Sequence, residues 1–531
     1  MREFIDLINI LSRSSAQAVS TEASVNNEKI TEFKKYLYVE TDVERAFLNV
    51  VNERSDKKIV FLCGSSGDGK SEILNRHINR YSVNYLFHLD ATHSFKPDQT
   101  AIEALNDQFD VYKETNKSLV IGINTGMLFT YSAEGADRHN DIKIAIHKYL
   151  ENRHECKLSQ FINFEDYPKF KYIDTEFRSE FIEELIRRLV KIDSGNPLSE
   201  MFEANRNTLD RRIVTNLVLL RLPQVQQVVV NVLLKARLKH DQFLTARGVL
   251  DLLYHLIMGD KFIFDNLFES GHNEIVDALS SFDPCIIRTR KLDQFLLERS
   301  LKIDEIEYQE FAEVIKTKYQ VNDIEPSSWL RLLYLLKDVE IGNNYHKQFI
   351  EDFDNSLFEE YGEIWNLHNV YDGTPEQKER LRTFYRKSII RPVLNFANRL
   401  HPCLSKKNKI LIGKRDKFYL SAPIAITPDY KSITARTSRG IDAFMLSIRV
   451  NKTEMPEFIV NINFLELLSK IASGYRPNVH DKNTVALLES IVDHILKVCN
   501  DNDTLYIDGT GIATSIRYDS DEDEIEVVED N

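Results

Sequence analysis

The chain has 531 residues, 43% of them hydrophobic and 28% charged, and carries a net charge of -14. That length predicts about two to four domains, and the composition is that of a globular protein with a large buried core. No stretch reaches the roughly 18 uninterrupted apolar residues of a membrane helix. Five scattered cysteines (Cys63, Cys156, Cys285, Cys403, Cys499) without a C-x-x-C pair argue against a disulfide framework or structural zinc site.

The start of the chain, Met1-Arg2-Glu3-Phe4-Ile5-Asp6, mixes acids with apolar residues and lacks a secretory h-region. The expectation is a cytoplasmic protein without membrane contact, its thiols reduced and mostly buried. An amphipathic opening (Phe4, Ile5, Leu7, Ile8, Leu11) runs into a small polar segment, Ser14–Asn27, read as a loop between short helices. Ile59–Cys63 is a continuous apolar run suited to a buried parallel strand. Leu74, Ile78 and Tyr81 then recur at helical spacing. A second apolar run (Tyr85–Leu89), a helix-like segment (Thr100–Phe109) and a third run (Leu119–Ile123) follow. Strand alternating with helix predicts an α/β parallel sheet.

From about Ile142 to Arg399 the helical period dominates, as in Phe181-Leu185-Leu189 and Leu250-Leu253-Leu256. The most apolar part, Leu217–Leu234, is broken by Arg221, Pro223 and three glutamines. Between Lys378 and Lys417 stand 13 Lys/Arg and only two acids, Glu379 and Asp416. Thr374-Pro375-Glu376 is a good helix start, and Pro392 is expected to bend or end that helix after Arg391. Arg382, Arg386, Arg391, Lys406, Lys407 and Lys414 are the candidate nucleic-acid contacts of this stretch. An acidic partner subunit or the chain's own acidic tail is the competing occupant.

Beyond Leu404 the pattern changes. Ile410-Leu411-Ile412, Phe418-Tyr419-Leu420, Phe444–Val450 and Thr504–Ile507 read as strands, with Asp508-Gly509 as a hairpin signal. Eight acids and no base lie between Asp519 and Asp530, a solvated, disordered or strand-edge tail. With Gly64–Ser71 matching G-x-x-x-x-G-K-[ST] directly after the apolar run Ile59–Cys63, the predicted organisation is a P-loop NTPase module of AAA/STAND-like α/β class with a helical lid (1–260), an α-helical domain (261–400) and a mixed C-terminal domain (401–531).

The sharpest motif is Gly64-Ser65-Ser66-Gly67-Asp68-Gly69-Lys70-Ser71, which fits G-x-x-x-x-G-K-[ST] at every fixed position. Glycines let backbone N–H groups turn inward around phosphates, where side chains would clash. In that chemistry Lys70 reaches the β- and γ-phosphates and the Ser71 hydroxyl holds Mg²⁺, so ATP and Mg are the expected ligands. Asp90, ending the run Tyr85–Leu89, is the candidate Mg²⁺ acid. Asn124, ending the next strand, is placed like the polar sensor of AAA-type ATPases. The pattern leaves open which of the two strands lies beside the glycine loop. Arg247, opening an apolar helix, is the candidate arginine reaching the γ-phosphate from a lid. The segments H-E-x-x-H and G-x-S-x-G are absent, and no nuclease cluster assigns DNA cleavage to this chain.

Cys63–Glu72, His88-Leu89-Asp90-Ala91-Thr92-His93-Ser94-Phe95, Ile121-Gly122-Ile123-Asn124-Thr125-Gly126, Leu244-Thr245-Ala246-Arg247 and Asn343-Asn344-Tyr345-His346 together resemble one family. It is the F component (DndF/DptF type) of the DNA phosphorothioation-dependent restriction system. The resemblance implies an ATPase subunit of an antiviral defence complex, acting with G and H components on DNA that lacks the sulfur mark. It carries over Gly64, Gly69, Lys70 and Ser71 directly, and Asp90 and Asn124 less directly. The competing class is a scaffold or signalling protein that uses nucleotide as a switch with negligible turnover.

Overall fold

The structure is a computed structural model; it describes residues 2–14, 28–53, 57–94, 96, 98–152, 158–303, 305–354, 356–434, 440–500, 502, 504–509, 512–519 and 524–529. The loop expected at Ser14–Asn27 falls outside these residues from position 15 onward, as do Phe95, Pro97 and Cys156. The chain divides into two compact units. The first comprises Met1–Lys171 and Arg178–Asp354, the second Tyr172–Phe177 and Asn355–Asn531.

In the first unit, helix α1 (Asp42–Asn52) leads to strand β1 (Ile59–Cys63), helix α2 (Lys70–Tyr81) and strand β2 (Tyr85–His88). Helix α3 (Ala101–Glu114), strand β3 (Ser118–Ile123), helices α4 (Thr125–Glu134) and α5 (Asn140–Asn152) and strand β4 (Ser159–Asn163) complete the layer. The four strands are parallel in the order β2-β3-β1-β4. All five residues of β1 are buried, as a sheet covered on both faces requires. Because side chains alternate across a strand, Ile59, Phe61 and Cys63 pack with Leu105, Phe109, Leu128 and Ile146 on one face. Val60 and Leu62 pack with Val43, Phe47, Ile73 and Leu74 on the other.

α3 starts where Thr100 and Glu103 form a reciprocal capping box. The region from Ile142, where the helical period was expected to dominate, is mostly helical but also contains β4 and the ribbon Lys171–Ile173/Glu176–Arg178. Beyond them come α6 (Glu180–Val190), α7 (Arg211–Leu220), α8 (Pro223–His240) and α9 (Ala246–Met258). Helices α10 (Ile263–Asn266) and α11 (Pro326–Leu335) pack on each other, and α10 packs on α9.

No single helix among the described residues is long and apolar enough to cross a membrane. The pair α7/α8 passes by length and composition, but it is bent by 85°. Its apolar side chains, among them Leu219, Leu220, Val225 and Val229, are buried inside the unit. The helices from 261 to 354 belong to this same unit, so the domain boundaries expected at 260 and 400 are replaced by one at 354/355. The reason is tertiary: α10 buries its face on α9, which sequence periodicity does not report.

In the second unit, α12 (Ser356–Asn369) and α13 (Pro375–Phe384) are followed by a wide π-turn at Tyr385–Ile390 and by α14 (Arg391–Ala397). Thr374 caps α13, as expected from Thr374-Pro375-Glu376. Pro392 does not end the helix. In a regular α-helix it would clash with the carbonyl four residues back and leave a bond unmade. The π-turn widens the ladder just before it and lets the helix run on into α14.

Strands β5 (Lys409–Arg415) and β6 (Phe418–Pro423), helices α15 (Ile462–Ala472) and α16 (Lys482–Asn500), and strands β7 (Thr504–Gly509), β8 (Ile512–Asp519) and β9 (Glu524–Glu529) follow. The five strands form an antiparallel sheet in the order β9-β8-β7-β6-β5. Phe444–Val450 divides into two short strands, 444–446 and 448–450, that pair in different sheets. Asp508 and Gly509 are ladder residues opposite Ala513 and Ile512, and not the turn itself. The acidic tail contributes β9 at the sheet edge; 520–523 and 530 lie outside the described residues. Acidic side chains on an edge strand discourage pairing with another chain. Of the described cysteines, Cys63 and Cys499 are buried, Cys285 is partly buried and Cys403 is exposed, so the thiols are less uniformly buried than expected.

Candidate functional site

The carboxyl ends of the four parallel strands all point to the same edge of the sheet, where ligands of open α/β sheets bind. Cys63 ends β1 there and the glycine loop begins. Gly67 and Gly69 have φ of +84° and +102°, left-handed backbone that a side chain would strain. Gly69 stands at the N-terminus of α2, and no side chain caps that helix. Its first amides are therefore directed at the loop without a side-chain acceptor, the geometry that receives anions.

Lys70 is buried, and its Nζ donates to the carbonyls of Gly64 (3.1 Å) and Ser65 (2.7 Å). Burial lowers its pKa from the ordinary lysine value, while Asp68 and Asp90 pull in the opposite direction. Burial also pushes the neighbouring Cys63 thiol up to about 12, which leaves it inert as a nucleophile. Asp68 turns back into the loop. Its Oδ2 accepts from the Ser65 N–H at 2.7 Å, and its Oδ1 lies 3.5 Å from Lys169 Nζ. A carboxylate of the loop thus satisfies an amide of the loop. Lys169 carries no motif and follows β4 in a turn, so periodicity offered no signal for it; burial lowers its pKa and Asp68 offsets the effect.

Ser71 Oγ donates to the carbonyl of Leu89 at 3.2 Å, tying α2 to the segment that carries Asp90. Asp90 Oδ1 accepts from the Thr92 N–H (2.9 Å) and hydroxyl (2.7 Å), and Oδ2 lies 3.2 Å from His93 Nδ1. Burial alone would raise its pKa. The Thr92 hydrogen bonds and the charges of His93 and Lys70 outweigh that, so the carboxyl lies below its ordinary value and is ionised at neutral pH.

Of the two candidate strands, β3, which leads into Asn124, lies beside β1, and β2, which leads towards Asp90, lies one position further out. Gly64 N–H donates to the carbonyl of Ile123 at 3.2 Å, placing Asn124 next to the start of the loop. Asn124 also caps α4, its Oδ1 accepting from the Met127 N–H at 2.6 Å.

Arg247 sits against the loop through its backbone: its N–H donates to the Gly67 carbonyl at 3.2 Å. Its guanidinium donates to the carbonyl of Arg13 at 3.0 Å. The N-terminus of α9 thus contacts the loop, and Thr245 caps that helix by accepting from the Gly248 N–H. Among the described residues no group of three or more His, Cys, Asp or Glu is placed to hold a metal ion. A Mg²⁺ bridging phosphates needs only one or two protein oxygens, and the Ser71 hydroxyl with the ionised Asp90 carboxylate fits that requirement.

The basic stretch forms a separate feature of the second unit. Lys378, Arg382, Arg386, Lys387 and Arg391 are exposed along α13, the π-turn and α14. Arg380 pairs with Glu363 at 3.0 Å and Arg382 with Glu379 at 3.2 Å, both solvent-exposed. Arg386 and Arg391 have no ionic partner among the described residues. The π-turn carries Arg386 and Lys387, and Arg391 opens α14 directly after it. Lys406 and Lys407 are exposed at the end of a short helix, Cys403–Lys406, and Lys414 lies 5.4 Å from the centre of the Tyr419 ring on the sheet.

No protein-family model, curated protein or solved structure matches the chain, so the site's own geometry carries the functional argument.

Proposed function

We propose that this chain binds and hydrolyses ATP as a P-loop NTPase of AAA/STAND-like type, serving as the ATPase subunit of a DNA phosphorothioation-dependent restriction complex. The observation that carries the ATPase reading is the convergence of Lys70, Ser71 and ionised Asp90 at the strand ends, below the uncapped start of α2. The restriction complex, its G and H partners and a cytoplasmic setting rest on the resemblance of the sequence strings. Loop amides and Lys70 would take the β- and γ-phosphates, exchanging the loop's own carbonyls for phosphate oxygens. Ser71 and Asp90 would hold Mg²⁺, which when bound neutralises charge on the phosphates. The Asn124 amide, on the strand beside β1, is the polar group available to orient water near the γ-phosphate.

Phosphate turnover, measured with and without DNA and the partner subunits, tests this reading. Turnover that rises when all are present is expected; tight binding without turnover in every combination would leave the nucleotide-switched scaffold instead.

Asp68 adds a prediction. Its carboxylate holds the Ser65 N–H and sets a negative charge beside an incoming triphosphate. Asp68→Asn is expected to tighten ATP binding about tenfold, read by calorimetry. Weaker binding would mean that Asp68 organises the loop for ATP instead of competing with it.

The exposed arginines Arg382, Arg386 and Arg391 support contact with the phosphate backbone of DNA. Reversing Arg386 and Arg391 to glutamate is expected to lower the salt slope of DNA binding by about 0.9 for each phosphate contact removed. Fluorescence anisotropy across a salt series reads this; an unchanged slope favours an acidic protein partner on that face.

A further inference from the structure

Strand β9 is the outer strand of the five-stranded sheet in the second unit, and among the described residues no strand pairs with its free side. In such a strand every second residue turns its N–H and C=O away from the sheet, where another chain can bond them. We propose that this edge takes an extended segment of a partner protein as a sixth strand, one that alternates basic and apolar residues.

The two faces of β9 set that chemistry. Val527 stands opposite Ile516 of β8. Thr514, two residues before Ile516, stands in line with Ile507 of β7 and Leu420 of β6. Together with Phe418 these side chains line an open groove of about 720 Å³ that reaches β9 at Val527. Ile525 lies on the same face by the two-residue period. Ile525 and Val527 are 68% and 61% exposed, so this apolar surface is uncovered where the sheet ends. Glu524 and Glu526 belong to the other face. Both are exposed, and neither has an ionic partner among the described residues. A sixth strand therefore covers apolar surface on one side and meets two carboxylates on the other. Apolar residues toward the groove and Lys or Arg opposite the glutamates give the cross-strand pairs that stabilise a sheet. In strand addition the main chain supplies affinity and the alternate side chains supply specificity.

A second copy of this chain fits the edge less well. Two copies joined β9 to β9 about a two-fold axis would bring Glu524 and Glu526 of one beside those of the other, and like charges placed opposite are destabilising. Joining head to tail needs the far edge of the sheet, β5, which Asn398 already holds. Asn398 donates to the Lys409 carbonyl at 2.9 Å and accepts from the Leu411 N–H at 2.8 Å. The carboxylates also repel the phosphates of a nucleic acid. The acids that keep β9 from pairing indiscriminately thus make it selective for a basic strand.

The test titrates the full chain into a fluorescein-labelled heptapeptide of alternating Lys and Val, read by anisotropy. The comparison probes are an alternating Glu-Val heptapeptide and one with the same lysines and valines grouped in blocks. The alternating Lys-Val peptide is expected to bind about tenfold more tightly than either, and to slow amide hydrogen exchange at residues 524–529. Glu524→Lys combined with Glu526→Lys changes only exposed side chains and is expected to turn the preference toward the Glu-Val peptide. Absence of binding, equal binding of alternating and blocked peptides, or a preference that survives the charge reversal overturns the proposal. Slowed exchange confined to residues outside 524–529 overturns it as well. Exchange at 524–529 that slows in the chain alone as its concentration rises would place a second copy on the edge, and that too overturns it.

Discussion

Replacing Lys70 by alanine is expected to weaken ATP binding by about two to three orders of magnitude and to abolish turnover. The ammonium sits in the loop and donates to the carbonyls of Gly64 and Ser65. Those acceptors hold it where phosphate oxygens would arrive. At an effective dielectric of about 20, two unit charges at 4 Å attract by roughly 4 kcal/mol, which is about a thousandfold in affinity. The empty protein is expected to lose little stability, because the substitution also removes a buried cation whose pKa burial already lowers. Calorimetry for binding and thermal unfolding of the free protein check both halves. Undiminished affinity in a folded Lys70→Ala protein would show that the loop does not hold the triphosphate.

How much of this was legible in the sequence depended on whether the signal was local. Ile59–Cys63 and the glycine loop could be read because a fully buried strand needs a continuous apolar run, and the loop needs glycine at positive φ. The relative positions of Asp90 and Asn124 could not, because strand order is a tertiary property; only the sheet places the Asn124 strand beside β1. β4 has no strand signature in the sequence, since Ser159-Gln160-Phe161-Ile162-Asn163 carries just two large apolar residues among polar ones. The boundary at 354/355 was hidden for a similar reason: helices on both sides share the same period, and the packing that separates them leaves no compositional mark. Pro392 misled in the opposite way, since its local rule is sound but the π-turn before it absorbs the conflict. Lys169, which pairs with Asp68 of the glycine loop, belongs to no pattern.

The largest stability effect is expected at Arg331 on α11, a partly buried residue of the first unit. Its Nη1 donates to Asp265 at 2.8 Å and its Nη2 to Asp283 at 2.6 Å, while the Ser328 hydroxyl donates to Asp265 at 2.9 Å. Arg331→Met keeps most of the volume but leaves the buried Asp265 and the partly buried Asp283 without their cation, a change that costs about 3–5 kcal/mol. The pH dependence has a definite sign. Burial raises the Asp265 pKa above its ordinary value even though Arg331 and Ser328 pull it down. The folded state therefore binds more protons than the unfolded state between the unfolded and folded pKa values, so stability from this group is retained below that window and falls as pH rises through it. Without Arg331 the folded pKa moves higher and the window widens toward neutrality. The deficit relative to the unsubstituted protein is expected to be largest near pH 8 and to shrink toward pH 5.5, measured by denaturant unfolding at both values. Adding Asp265→Asn and Asp283→Asn should recover most of the loss, because neutral amides are cheaper to bury than unpaired carboxylates. A deficit equal at both pH values would mean that lost packing, and not the uncompensated charge, sets the cost. Because α10 carries Asp265 and packs on α9, whose first turn touches Gly67, the same variant should also loosen the glycine loop and weaken ATP binding. This ion triad thereby connects the stability of the helical region to the glycine loop.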